Sequence, residues 1–417
     1  MSILSERAHD IAVRNTGRFM EIFRYLHRHP ETSNNEYGTS AYIEEILRGL
    51  GMEIIDLGME TGVVGLLRGG KEGPCIALRC DIDGLPVTEQ SSCDFPSENE
   101  GVMHACGHDN HMSSLLGAAI ILSEMRDDLR GSVKFIFQPA EERNLGAIAM
   151  ISRDVLEDPR VDACFSFHNS PELPTGYVAV IPGPIMAGLN TIDITVTGKG
   201  GHGGIPHRNT DPVVAAAALI QSLQTIVSRN IAPTNAAVVS ICSVHTSNAV
   251  TSNVVPDSVS MKGTVRFYSD DDKKTINRRI REIAEGIGAA YNCGTDFRTS
   301  EDLPVTSNAP HSGHMDLYPV ALRTVKDIGA QAVCPDPSGG GDDFAHYSLG
   351  AGGKPGVPSF FYWLGDGNPE KDCVYSWHSP RYKTDPDAVV IGAQLLAVSA
   401  LNTMDELLKP ENEGASE

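Results

Sequence analysis

The chain is short of positive charge, of paired cysteines and of long apolar stretches, and each shortage removes a class of function. Lys and Arg number 33 against 54 Asp and Glu, a formal net charge of −21. That field repels phosphate backbones and anionic lipid surfaces, so nucleic acid is not an expected partner. No apolar run reads as a membrane span and no basic-then-apolar leader opens the sequence, so the expectation is a soluble, cytoplasmic protein without a membrane partner. The nine cysteines form no CxxC pair and are too sparse for a disulfide scaffold, which suits reduced and mostly buried thiols. There is also no P-loop and no GxSxG elbow. Nucleotide-binding and serine-hydrolase chemistries therefore lack their parts.

What is present is 417 residues with 41% hydrophobic and 21% charged, enough apolar mass for two or three domains. The N-terminal segment "RFMEIFRYLHRHPETSNNEYGTSAYIEEILRGLG" reads as two amphipathic helices separated by a Pro and Asn break. The runs "TGVVGLLRG", "CIALRCDID", "SVKFIFQPAEE" and "ACFSFHNSP" are continuously apolar and β-rich, and a helical stretch, "HMSSLLGAAIILSEMRDDLRG", divides them. Such runs predict strands buried on both faces of an α/β sheet. From Leu189 to Thr299 the pattern becomes β-α-β-β-α-β, the ferredoxin-like order. Because that unit can bury its own sheet, it reads as an insert in residues 189–299 between two parts of a larger domain, 1–188 and 300–417. The polar tail 409–417 reads as disordered.

Strand ends are where an α/β protein gathers its reactive groups. "ALRCDID" ends in Asp81 and Asp83, "KFIFQPAEE" in Glu141 and Glu142, and "CFSFH" in His168, while "VYSWHSP" sets His378 after a short β-rich run. In "MHACGHDNHM", Cys106 and His108 can aim a thiolate and an imidazole at one ion, a mixture that suits zinc or a similar metal. A polar turn around a buried thiol has the same spelling. Glu141 and Glu142 can divide metal binding and proton transfer between them, or be a solvated loop. His168 and His378 taken singly are as well explained as packing histidines. His202 in "GKGGHGGIPH" is either exposed for a ligand or part of a flexible hairpin tip.

In order along the chain, "LHRHPETSNNEYGTS", "LRCDIDGLPVTE", "MHACGHDNHM", "FIFQPAEE", "GKGGHGGIPH", "DPVVAAAALIQSLQTIVSRN", "NVVPDSVSMKGTVRF", "GDDFAHY" and "WHSPRY" are spread over most of its length. Together they resemble the M20 family of metal-dependent amidohydrolases and peptidases, in the branch of hippurate hydrolases, N-acyl-amino-acid deacylases and auxin-conjugate hydrolases. The resemblance implies a larger α/β domain with two divalent metal ions per subunit, zinc or manganese first and cobalt or nickel as alternatives. It also implies a ferredoxin-like satellite serving as lid and homodimer interface.

Residue by residue, the resemblance makes Cys106, His108, Glu142, His168 and His378 the metal ligands, with the Cys106 thiolate as the bridge. Glu141 becomes the general base, His202 an oxyanion stabiliser that reaches a partner's active site, and Asn253 and Arg266 substrate holders. Asp83 and Asp109 are expected to orient ligands from behind, and His104 and His111 receive no role. The implied reaction is hydrolysis of the amide in N-acyl amino acids or similar small conjugates. A dipeptidase or small carboxypeptidase on the same two-metal site is the alternative. Asn110, Met112, Arg143, Asn144, Leu145 and Asn169 depart from the usual family pattern, and bulkier groups there are expected to reshape the substrate pocket.

Overall fold

The computed structural model describes residues 3–247, 251–300, 303–311 and 313–409; most of the polar tail lies outside them. Contacts divide the chain into two compact units. The first is Met1–Gly183, Ser307–Asp336 and Asp343–Glu417, and the second is Pro184–Thr306 with Pro337–Asp342.

The first unit is built on an eight-stranded mixed sheet. Its centre is four neighbouring parallel strands, Arg130–Gln138, Lys71–Asp81, Ala163–Pro174 and Ser359–Gly367. Val63–Arg68 and Tyr177–Ala179 pair antiparallel on either side. The continuous apolar runs arise because the central strands are covered on both faces: Arg130–Gln138 is buried from its second residue onward and Ser359–Gly367 throughout.

One side of the sheet carries the helices Ile3–Arg28, His108–Glu124 and Asp387–Leu407, packed on one another. The last two cross closely because small residues meet. A Cβ on Gly117 would lie 2.7 Å from that of Ala393, and one on Gly392 would lie 2.4 Å from Ser114 Oγ. Among the described residues, Asp387–Leu407 alone is long and apolar enough to cross a membrane, and most of it is buried against its neighbours. Core packing accounts for that composition.

The second unit is a four-stranded antiparallel sheet in the order Ala237–Thr246, Ser258–Phe267, Gly188–Thr197, Gly294–Thr299. The helices Pro212–Leu223 and Asp270–Ala290 lie on it, giving the βαββαβ connectivity. Its core is formed by alternate inward residues such as Ile192, Ile194 and Val196 with Leu219, Ile276 and Ile280. The short stretch Pro337–Asp342 belongs here because Ser338 exchanges backbone hydrogen bonds with Ile185 and Ala187 while its carbonyl accepts from Tyr268 Oη.

Candidate metal centre

The carboxyl ends of three adjacent parallel strands bring the chemistry together. Lys71–Asp81 leads into Asp83, Arg130–Gln138 runs through Pro139 and Ala140 into the 3-10 turn Glu141–Arg143, and Ala163–Pro174 carries His168 in register with Trp363. Helix His108–Glu124 begins directly behind Cys106. Gly107 between them has φ +83°, and a Cβ there would lie 2.4 Å from Asn169 Nδ2. Only glycine suits both conditions.

The five side chains singled out as ligands meet in this place. Cys106 Sγ is 3.3 Å from His168 Nε2, and His378 Nε2 is 3.4 Å from Glu142 Oε1. Donor atoms of Cys106, His108 and His168, of Cys106, Glu142 and His378, and of His108, Glu141 and Glu142 form sets mutually within 4.8 Å. His378 sits in the left-handed region at φ 62°, and its N–H donates to Ala105 O at 2.8 Å, tying the distant WHSP loop to the cysteine loop. Such backbone strain is tolerated where surrounding contacts determine the position. Cys106, His108 and His168 are buried, whereas the His378 side chain is 57% exposed, so the cluster opens on that side.

Asp83 organises the cluster from behind. Its two oxygens accept from the backbone N–H groups of Glu141 and Glu142, both at 3.2 Å, and from Ser33 Oγ at 2.6 Å. The Asp83 carbonyl takes His108 Nδ1 at 2.8 Å, and His108 Nε2 is buried without a hydrogen-bond partner among the described residues. Ala140, left-handed at φ 54°, donates its N–H to Glu36 Oε1 at 2.9 Å and turns the two glutamates inward.

Asp109 does something different from the expected role. Its carboxylate faces His27 Nδ1 at 2.6 Å and its own helix at Asn110 N, because its place on the first turn of the helix directs it toward the N-terminal helix. His111 has both nitrogens occupied, one by Asp81 Oδ1 at 2.6 Å and the other accepting from Asn169 N at 3.1 Å. It is a structural histidine. His104 is buried, and among the described residues neither of its nitrogens has a hydrogen-bond partner.

The electrostatics fit cations. Burial, followed by the Glu142 and Glu141 charges, pushes the Cys106 thiol well above its ordinary range. His108 is raised to about 10: burial opposes its charge, but the Asp81 charge and the Asp83 hydrogen bond outweigh it. A thiolate beside so many carboxylates requires compensating positive charge, and His108 Nε2, which no described residue hydrogen-bonds, can face such an ion once it gives up its proton. The chemistry of the donor set, N, S and O together, is that of a borderline divalent ion.

Of the residues departing from the family pattern, Asn110 and Met112 do not line the site. Asn110 Nδ2 donates to Asn169 Oδ1 at 2.7 Å and Met112 is part of the core, since the first turn of the helix is covered all round. Leu145, by contrast, is 51% exposed beyond the Glu142 turn, and Arg143 is also exposed.

His202, Asn253 and Arg266 all belong to the second unit. Gly201–His202 pairs with Val254–Val255, and Gly203 N donates to Asn253 O at 2.8 Å, so His202 and Asn253 share one ribbon with exposed side chains. Arg266 Nε donates to Gly339 O at 3.1 Å. The buried Arg79 was not foreseen as part of the site. It pairs with Asp81 at 3.1 Å and Asp343 at 2.9 Å and so supports the strand end behind the cluster.

Comparison with known proteins identifies the family. Residues 77–402 match the model of peptidase family M20/M25/M40. The N-acetylcysteine deacetylase of Bacillus subtilis is 38% identical over 94% of this chain and 98% of its own length. The IAA-amino acid hydrolase ILR1-like 2 of Arabidopsis thaliana is 35% identical, covering 93% and 85% of the respective chains. Thermostable carboxypeptidase 2 of Saccharolobus solfataricus is 36% identical over 92% and 94%. Among solved structures, the Bacillus subtilis YXEP protein, described as a dinuclear metal-binding peptidase of the M20 family, matches with a TM-score of 0.81 and 34% identity over 94% of this chain and 98% of that one. By its strand-end cluster and by similarity along nearly its whole length, the chain belongs to peptidase family M20/M25/M40.

Proposed function

We propose that the protein is a metal-dependent amidohydrolase that cleaves the linear amide of N-acyl amino acids or similar small conjugates. One observation carries the reading: side chains from positions 106, 108, 142, 168 and 378 converge with Glu141 beside them. It is strengthened by relatives named for deacetylation of N-acetylcysteine and hydrolysis of an amino-acid conjugate.

Cys106, His108, Glu142, His168 and His378 would hold two divalent ions. Zinc suits the thiolate and imidazole donors, and manganese, cobalt or nickel can be selected by availability. When bound, such ions supply Lewis acidity to a water and to the scissile carbonyl. Glu141 stands in the same turn as the ligand Glu142, fixed by the backbone bond to Asp83. Its role is to take the proton from the attacking water and return it to the leaving amine. Asp83 holds the Glu141 and Glu142 turn and His108 in one geometry, which is preorganisation.

The satellite, residues 189–299 in the sequence reading, is assigned the lid and homodimer roles. His202 would stabilise the oxyanion from a partner subunit, and Asn253 and Arg266 would hold the substrate's polar groups. The protein is placed in the cytoplasm. The competing reading, a small carboxypeptidase or dipeptidase, is favoured by the thermostable carboxypeptidase relative.

Both readings meet the same experiment. Chelator-stripped enzyme, reloaded with zinc or manganese, is assayed on N-acetyl amino acids, hippurate and dipeptides. Recovery of N-acyl cleavage with higher kcat/KM than on dipeptides supports the proposal, and the reverse order selects the peptidase. Undiminished hydrolysis in fully stripped enzyme would contradict both.

A further inference from the structure

The first unit contains a second convergence of histidine, thiol and carboxylate, apart from the cluster around Cys106. His27 stands on the last turn of the helix Ile3–Arg28 and is 3% exposed. Glu89 and Cys93 come from the stretch 86–102, which contains neither helix nor strand. A nitrogen of His27, a carboxylate oxygen of Glu89 and Cys93 Sγ lie mutually within 4.8 Å.

Each donor is secured from behind. His27 Nδ1 is engaged by Asp109 Oδ2 at 2.6 Å, leaving Nε2 toward Glu89 Oε1 at 3.2 Å. A carboxylate behind an imidazole fixes the tautomer and the ring direction in metal sites. Glu89 Oε2 accepts from Ser97 N at 2.6 Å, and its other oxygen accepts from Ser91 Oγ. Ser91 Oγ also accepts the Cys93 N–H at 3.2 Å, which positions the thiol-bearing residue. Phe95 packs edge-on against the His27 ring at 5.3 Å. In front lies a cavity of about 260 Å³, bordered by His27, Cys93, Phe95, Lys371 and Lys383, with space for a water as a fourth donor.

We propose that His27, Glu89 and Cys93 bind a divalent ion of zinc type, distinct from the ions of the amidohydrolase site, which fastens the 86–102 stretch to the N-terminal helix. One nitrogen, one oxygen and one sulfur donor with an open fourth position is a donor set zinc accepts. An ion here would add to the backbone bonds that already tie the stretch down, Glu98 N to Arg28 O at 2.7 Å and Gln90 N to Pro380 O at 2.6 Å. The alternative is a plain His27–Glu89 ion pair with Cys93 as a bystander.

The test uses the full-length Cys106→Ala protein titrated with cobalt(II), so that any thiolate-to-cobalt absorption has another source. The band should appear and saturate at about one equivalent of cobalt. It should vanish in Cys106→Ala/Cys93→Ala. With zinc at about 100 times its Kd, proteolysis within 86–102 should slow about 100-fold in the first variant and by less than about twofold in the second. No band while Cys93 is intact, or a band that survives Cys93→Ala through an exposed thiol such as Cys242, overturns the site. If Cys106→Ala does not fold, zinc content decides. Cys93→Ala in the otherwise natural chain should lower it by about one equivalent, and an unchanged content refutes the proposal.

Discussion

Two clusters in one unit use the same residue types and reveal different things. Around Cys106, thiol, imidazoles and carboxylates are crowded, and His108 Nε2 is buried with no hydrogen-bond partner among the described residues. Around His27 both ring nitrogens already face carboxylates, and the thiol is half-buried beside an open cavity. The first arrangement is costly without cations and implies chemistry; the second stands without one and implies anchoring.

The largest expected effect separates the two clusters directly. Glu141→Gln should lower kcat by about 10³-fold, within the range of a lost general base, while leaving bound metal unchanged. Steady-state kinetics with elemental analysis checks both. Cys93→Ala should do the opposite, changing metal content without moving kcat.

A pH effect of intermediate size concerns neither set of ligands. Asp366 is raised to about 7, chiefly by burial, with Tyr382 Oη donating to it at 2.7 Å. Its folded value lies above its unfolded one, so its contribution is fully present below about pH 4 and is lost as pH rises through about 7, by up to about 4 kcal/mol. Urea unfolding between pH 5 and 8 should show this decline in the natural chain and a flatter profile in Asp366→Asn. Identical profiles would remove Asp366 as the source.

Smaller again is the support behind the first cluster. Asp83→Asn keeps the shape but weakens its grip on the Glu141 and Glu142 turn, and metal affinity should fall about 10- to 100-fold, measurable by competition with a chromophoric chelator. The smallest change belongs to Cys93→Ala on N-acyl amino acid turnover, where kcat/KM should stay within about twofold, as for surface substitutions. A larger drop would mean that the two clusters are coupled through Asp109.

The same contrast explains what was legible in the sequence. Cys106 and His108 stand two residues apart on one loop, and Glu142, His168 and His378 each follow a strand-like run, but spacing left a polar turn and packing histidines equally open and only the family resemblance joined the five. The βαββαβ order of the second unit is written in local periodicity. His27 was not legible as a partner of Asp109: they are 82 residues apart and meet only because two helices cross. His111 lies within the same motif as the candidate ligands Cys106 and His108, and only tertiary contact with Asp81 and the backbone of Asn169 sets it apart from them. Pro337–Asp342 is Gly- and Pro-rich and has no period to follow, so its docking through Ser338 leaves no trace in the sequence.

A crystal structure of metal-loaded enzyme with anomalous data at the metal edge tests the central claim most directly. The account predicts two peaks at the strand ends, with Cys106, His108, Glu142, His168 and His378 forming the shells and Glu141 bound to neither ion. A single peak, or a direct bond from Glu141 to either ion, would contradict it.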